Sequence, residues 1–223
     1  MLTIIRRLLP VLFLLGAVAA LAHDPTDNAA WKALGDAGAM PAIRAVAVDG
    51  DTVFALSDKG LLQIGKDGKV NEVLPPEPLK KIQALAVDAK ELWLGGPDGV
   101  FRVTRATKDV AQWEPKSAPA AYDRVLFDGQ GGIYVYEKKG LLSVYDTSGA
   151  LRWRTAKIYD QPEAVSAPEA VLRRKSGEIY LADAENNRVL KFSADGQYLG
   201  RILDLCCRPH GLTELPDGRL VVL

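Results

Sequence analysis

The sequence predicts an all-β fold, a β-propeller of four-stranded blades, and three observations carry that prediction. A unit of about forty residues recurs as "IRAVAVDGDTVFALSDKGLLQI" from Ile43, "IQALAVDAKELWLGGPDGVFRV" from Ile82 and "YDRVLFDGQGGIYVYEKKGLLSV" from Tyr122. Each copy is built of short apolar alternating runs, the period of half-buried strands rather than of helices. The punctuation is fixed as well: Asp49, Asp88 and Asp128 stand 39 and 40 residues apart, and Gly60, Gly99 and Gly140 stand 39 and 41 apart. A strand-rich unit of this period buries its apolar faces by stacking against its neighbours in a radial array.

Along the chain, residues 1–22 come first and are set aside as a secretory signal peptide. Arg6 and Arg7 form a basic start, Leu8 to Val18 an apolar stretch, and Ala20-Leu21-Ala22 a small-x-small cleavage site. The apolar run from Leu8 to Ala22 is 15 residues long and holds Pro10 and Gly16. That is short of the ~20 residues a bilayer span needs. The expected location is therefore periplasmic or extracellular, with no membrane span after cleavage.

Residues 23–41 read as a leader, or as a closing strand around "WKAL" at Trp31–Leu34. The propeller domain then covers 42–223. Its blades are expected at about 43–74, 82–113, 122–154 and 168–202, with an incomplete fifth at 209–223. Pro-containing connections after Leu74 and Glu114 separate blades, because proline cannot donate to a central ladder. The step from Ile133 to Ile179 is 46 residues, so extra residues fall in "IYDQPEAVSA" from Ile158 to Ala167. Insertions between repeats map to loops on one face, often the binding face. The fifth copy opens at "RPHGLTELPDGRLVVL" and reaches Leu223 within its second strand. The expectation is a fragment of a five- or six-bladed ring; the other reading has residues 23–41 complete blade five.

Composition bounds the partners. The 223 residues are 48% hydrophobic and 25% charged, with 28 Lys+Arg against 28 Asp+Glu, values of a globular chain. Removing residues 1–22 leaves 26 basic against 28 acidic groups. Such a balance gives no electrostatic case for nucleic acid or an anionic membrane. The basic groups Lys80-Lys81, Lys138-Lys139 and Arg173-Arg174-Lys175 fall at turns and read as solvated loop charges.

The blades have family resemblances. "IQALAVDAKELWLGGPDGVFRV" resembles the repeat of two-component regulator propellers, found in extracytoplasmic sensor domains. "PEAVLRRKSGEIYLADAENNRVLKFSADGQYL" from Pro168 resembles an NHL repeat in its starting Pro, Gly-x-Ile-Tyr, Ala182-Asp183, Asn187-Arg188-Val189 and Asp195-Gly196. In this blade Asp183 is expected to accept backbone N–H groups at the turn and Arg188 to reach the neighbouring blade. Asp-Gly pairs at 67–68, 98–99, 195–196 and 217–218 supply the positive φ that tight connections need. These resemblances imply propeller architecture; the fold itself hosts enzymes, sensors and scaffolds.

Candidate site residues come from symmetry breaking. Registering the five copies puts Arg44, Gln83, Asp123, Glu169 and His210 at one shared position, just inside the start of each first strand. Building residues of a repeat recur, whereas a ligand site need not, so these five are the candidate ligand-binding ring at the channel mouth. The other reading is that they solvate a water-filled mouth. Trp93, Tyr134 and Tyr180 do recur, at matching second-strand positions, and read as packing. "RPHGL" resembles the Pro-His start of inner strands in peptidylglycine amidating lyases, NHL-type propellers whose channel histidines bind zinc. That resemblance implies a divalent metal, zinc or calcium, on His210 with Glu169 and Asp123; blades two and three lack the matching histidine.

Cys206-Cys207 admits three readings: a vicinal disulfide stiffening the turn before His210, a pairing with a cysteine beyond the chain, or a thiolate–imidazole site with His210. Neighbouring Cα atoms ~3.8 Å apart are below the usual disulfide range, so a vicinal bridge would be strained. No phosphate-binding loop and no nucleophile-elbow context is present. Three functions follow as expectations. The first is an exported NHL-like propeller binding a small molecule, glycan or protein. The second is a metal-dependent lactonase, hydrolase or lyase, and the third a non-catalytic interaction scaffold.

Overall fold

A computed structural model of the chain describes residues 42–137, 140–155, 165–204 and 207–223. The signal segment, the Trp31–Leu34 strand, Lys138-Lys139, most of the segment inserted before blade four, and Cys206 lie outside the described residues. The vicinal-disulfide reading therefore lies outside them too. Secondary structure is strand throughout, apart from one 3-10 turn over Glu77–Leu79. Two compact units are present: residues 42–95 with Val100–Gln112, and Gly96–Gly99 with Trp113–Leu223.

In the first unit, β1 (Ile43–Asp49), β2 (Thr52–Ser57), β3 (Gly60–Ile64) and β4 (Val70–Leu74) pair in chain order as one antiparallel sheet. β5 (Ala84–Val87), β6 (Glu91–Gly96), β7 (Gly99–Thr104) and β8 (Val110–Trp113) form the next. The middle strands are not the half-buried elements their alternation predicted. Val53 to Ser57 and Leu92 to Gly96 are buried without a break, because second strands are covered on both faces. The outer strand β8 reads exposed, exposed, exposed, buried, as an edge should. Phe54, Leu56, Leu61, Leu79, Leu92 and Leu94 pack in one core, each at 2% exposure or less. Burying each such side chain contributes roughly 1.5–3 kcal/mol.

The second unit holds β9 (Arg124–Phe127), β10 (Gly132–Glu137), β11 (Leu141–Asp146) and β12 (Leu151–Thr155) as a third sheet. A fourth follows from β13 (Pro168–Arg173), β14 (Ile179–Asp183), β15 (Arg188–Phe192) and β16 (Tyr198–Asp204). β17 (Leu212–Glu214) and β18 (Leu220–Val222) make a two-stranded sheet. Blades three and four share a core that includes Tyr134, Leu142, Trp153, Leu181 and Phe192. Trp153 stacks on Phe192 at 5.8 Å and meets Tyr134 edge-on at 6.3 Å. Gly196 is fixed on two grounds: its φ is +85°, and a Cβ there would enter the Trp153 ring. Leu212 continues the burial, packing with Tyr180, Ala182 and Val189.

Two first strands slip register where they begin. β1 shifts between Ile43 and Ala45, and β13 between Pro168 and Ala170, so Arg44 and Glu169 each occupy the extra residue of a bulge. A bulge re-aims the side chain it carries. Strand geometry thus gives these two candidate residues directions that regular pleating would not.

Candidate functional site

The recurring residues build the frame. Asp88 accepts the backbone N–H groups of Lys90 and Glu91 at 2.8 Å, and the Trp93 indole N–H at 2.9 Å. Asp128 repeats this with Gln130 N–H, Gly132 N–H and the Tyr134 hydroxyl. Phe54 stands at the same position in blade one but has no donor. Asp49 turns instead to Arg105, at 2.6 Å, and the Arg105 guanidinium lies 5.2 Å over the Phe54 ring. The Asp–aromatic pair therefore closes the first hairpin in blades two and three, and that explains why both residues recur there.

The five non-recurring residues have different fates. In the first unit, Arg44 Nη1 donates to the carbonyls of Leu79, Lys80 and Ile82 at 2.7–2.9 Å, and Nη2 to Ser57 C=O at 3.0 Å. Its guanidinium fastens the connection after blade one. Gln83 has an exposed side chain and bonds through its backbone N–H to Gly95 C=O.

In the second unit, β13 packs against both β9 and β17, so the starts of these three strands lie side by side. Asp123 is part-buried just before β9, its N–H on Tyr136 C=O at 3.0 Å. Glu169 receives both terminal nitrogens of Arg124, Nη1 to Oε2 at 2.8 Å and Nη2 to Oε1 at 3.1 Å. This bidentate fork is the strong form of a charged hydrogen bond, and both partners keep some exposure, at 29% and 22%. His210 is exposed, and its N–H donates to Leu223 C=O at 2.6 Å. Among the described residues no three His, Cys, Asp or Glu side chains are grouped to hold a metal ion. Both oxygens of Glu169 face Arg124.

Acidic character collects beside them. The Tyr136 hydroxyl donates to Val165 C=O at 2.9 Å. Burial first, then the carboxylates of Asp183, Asp123 and Glu185, hold it above the ordinary tyrosine range. Asp183 is fully buried and accepts Ser166 N–H at 2.7 Å, Asn186 at 2.9 Å and Arg188 Nε at 2.8 Å. The backbone N–H it accepts comes from Ser166, on the chain entering the blade, and at the turn it is the Asn186 side-chain amide that donates. The bond of Asp183 with Arg188 ties two neighbouring strands of one blade.

One residue central to this geometry was missed from sequence. Arg124 fills a position held by Ala45, Ala84 and Ala170 in the other blades. The same symmetry breaking that selected Asp123 would have found it one residue further on. A second correction concerns Arg174, expected as a solvated loop charge. It donates to Glu214 from both Nε and Nη2, and to Gly218 C=O, so it joins blade four to β17 and its turn. Its hydrogen bonds to Glu214 and Tyr180 raise its already high pKa further.

No protein-family model matches the chain, and no curated protein matches it in sequence. Solved structures do match in shape. Virginiamycin B lyase from Staphylococcus aureus aligns at a TM-score of 0.62 and 18% identity, over 82% of this chain and 63% of its own. A streptogramin B lyase gives 0.64 at 15% identity, over 82% and 62%. A nidogen/laminin complex gives 0.61 at 12% identity, over 82% and 72%. The chain thus spans somewhat under two thirds of the two lyases, at 63% and 62% of their lengths. At such identities the likeness is one of fold: the chain is a β-propeller of four-stranded antiparallel blades.

Proposed function

We propose that the chain is an exported, NHL-like β-propeller whose work is binding. The ligand, a small molecule, glycan or protein partner, is held where Asp123, Glu169 and His210 begin adjacent strands. The observation that supports this most is the Arg124–Glu169 fork. It is part-exposed, sits at a bulge, and uses an arginine where blades one, two and four have alanine. A fork of this kind presents N–H donors and carboxylate lone pairs side by side, which suits hydroxyl and amide groups. Asp123, part-buried just before β9, and the exposed His210, just before β17, are the further polar groups this reading draws on.

Immobilised glycan and peptide arrays probed with the exported protein test the reading, followed by calorimetry on any hit. Arg124→Gln and His210→Ala are expected to weaken binding by tenfold or more, the loss a charged or buried hydrogen bond of about 1.4 kcal/mol predicts. Binding unchanged in both variants would point to a scaffold that works through other surfaces.

The lyase neighbours favour a second reading, a metal-dependent propeller enzyme with zinc or calcium on His210, Glu169 and Asp123. It requires Glu169 to exchange Arg124 for the metal. Zinc or calcium bound stoichiometrically by the wild type, and lost in His210→Ala, would move the function to that reading.

A further inference from the structure

Blades three and four each place a carboxylate on the last residue of the second strand: Glu137 in β10 and Asp183 in β14. Both are buried, at 7% and 0% exposure. In both, one oxygen caps the chain entering the blade. Glu137 Oε2 accepts Ala120 N–H at 3.2 Å, and Asp183 Oδ1 accepts Ser166 N–H at 2.7 Å.

The second oxygen is where they part. Asp183 Oδ2 receives Arg188 and Asn186, so its buried charge is neutralised. Arg188 is the residue directly across the ladder from Asp183. The residue directly across from Glu137 is Leu141, which brings no donor. Among the described residues, Glu137 Oε1 is buried without a hydrogen-bond partner. A buried carboxylate oxygen left in this way carries its full desolvation cost, and native interiors rarely leave it so. The fourth blade shows, on the same frame, what satisfies it: a guanidinium.

We propose that Glu137 anchors a cation-binding site at the end of blade three. It would take the guanidinium or primary ammonium group of a ligand in the role Arg188 plays in blade four. Glu137 opens the reversal into β11, where Gly140 N–H returns to its carbonyl at 3.0 Å. It lies at the end of the blade where β9 begins, since Tyr136 pairs with Arg124 and accepts from Asp123 N–H. Besides burial, the nearby Asp123 and Glu185 raise the pKa of the adjacent Tyr136, the sign of negative potential on that side. The site does not use the Arg124–Glu169 fork, so either proposal can fail without the other.

Thermal unfolding of the mature chain in millimolar methylguanidinium chloride, against sodium chloride at equal ionic strength, tests it. Wild type is expected to gain about 2 °C or more in Tm, a ligand-linkage shift for a protein of this size. Glu137→Gln keeps the side-chain shape and an acceptor for Ala120, and should lose the gain. Leu141→Arg supplies the cation from the chain itself. It should raise Tm in sodium chloride alone and abolish the response. N-acetyl-arginine amide in a parallel arm separates the two sources: a larger shift than methylguanidinium assigns a peptide side chain, an equal one a small free cation. A wild type that does not respond, or a response that survives Glu137→Gln, overturns the proposal.

Discussion

Arg188 and Asp183 are 3% and 0% exposed, and neither can be solvated if its partner is removed. Truncating one member of such a pair leaves a buried charge uncompensated. Arg188→Ala is therefore expected to lower the unfolding free energy by about 3–5 kcal/mol, read from urea denaturation. Arg105→Ala breaks a shorter contact, 2.6 Å to Asp49, yet Asp49 is 45% exposed and water replaces the arginine. That variant should lose only about 1 kcal/mol. Equal losses in the two would mean that burial is not what sets the worth of these pairs. Contact distance alone ranks them the other way. Neither ranking was legible in the sequence, where Asp49 recurs with Asp88 and Asp128 but Asp183 stands outside that series.

The first hairpin of a blade is closed by an aspartate and an aromatic donor, and that device was readable because it repeats. Asp88 with Trp93 and Asp128 with Tyr134 keep the device at spacings of 5 and 6 residues, while Phe54, 5 residues after Asp49, keeps the aromatic and loses the donor. Sequence gave the aromatic positions as packing sites, and Trp93 and Tyr134 are indeed 4% and 1% exposed. It could not show the hydrogen bond each makes, because packing and bonding use the same residue. Trp93→Phe keeps most of the apolar contact and removes the indole N–H. The expected loss is about 1–2 kcal/mol, the worth of a hydrogen bond to a charged acceptor. Phe54→Leu, which has no such bond to lose, should cost only what repacking a volume-similar apolar side chain costs, under about 1.5 kcal/mol. Thermal or urea unfolding of the two variants decides whether the pair acts through bonding or through bulk.

Period and alternation made the all-β fold legible, since both follow from how four-stranded units bury one another. The functional residues were legible only in part, because symmetry breaking marks candidates without saying what each one touches. Arg44 proved to hold backbone carbonyls, and Glu169 proved to hold an arginine that the register of the repeats had assigned to an apolar run. One consequence belongs to the chain's charge as a sum. Hydrogen bonds hold several carboxylates below their ordinary pKa: Asp146 from Ser148, Asp195 from Ser193, and Asp67 and Glu178 from Lys69 and Lys191. For Asp88, burial pulls the pKa up, but the Trp93 indole and two backbone N–H groups outweigh it. A carboxylate lowered in the folded state stabilises that state fully above its unfolded pKa, and the contribution disappears as pH falls through the folded value. Urea midpoints should therefore agree between pH 7 and about pH 5.5, then decline below about pH 4 as these groups protonate. Asp67, Asp88 and Asp195 are exposed and Asp146 and Glu178 only half-buried, so each adds little; Asp88, which gathers the Trp93 indole and two backbone N–H groups on one carboxylate, is the one a single substitution should reveal best. Asp88→Asn is expected to lower stability at pH 7 and to flatten the decline on acidification. A midpoint at pH 3 equal to that at pH 7 would show that these carboxylates bind their donors no better folded than unfolded.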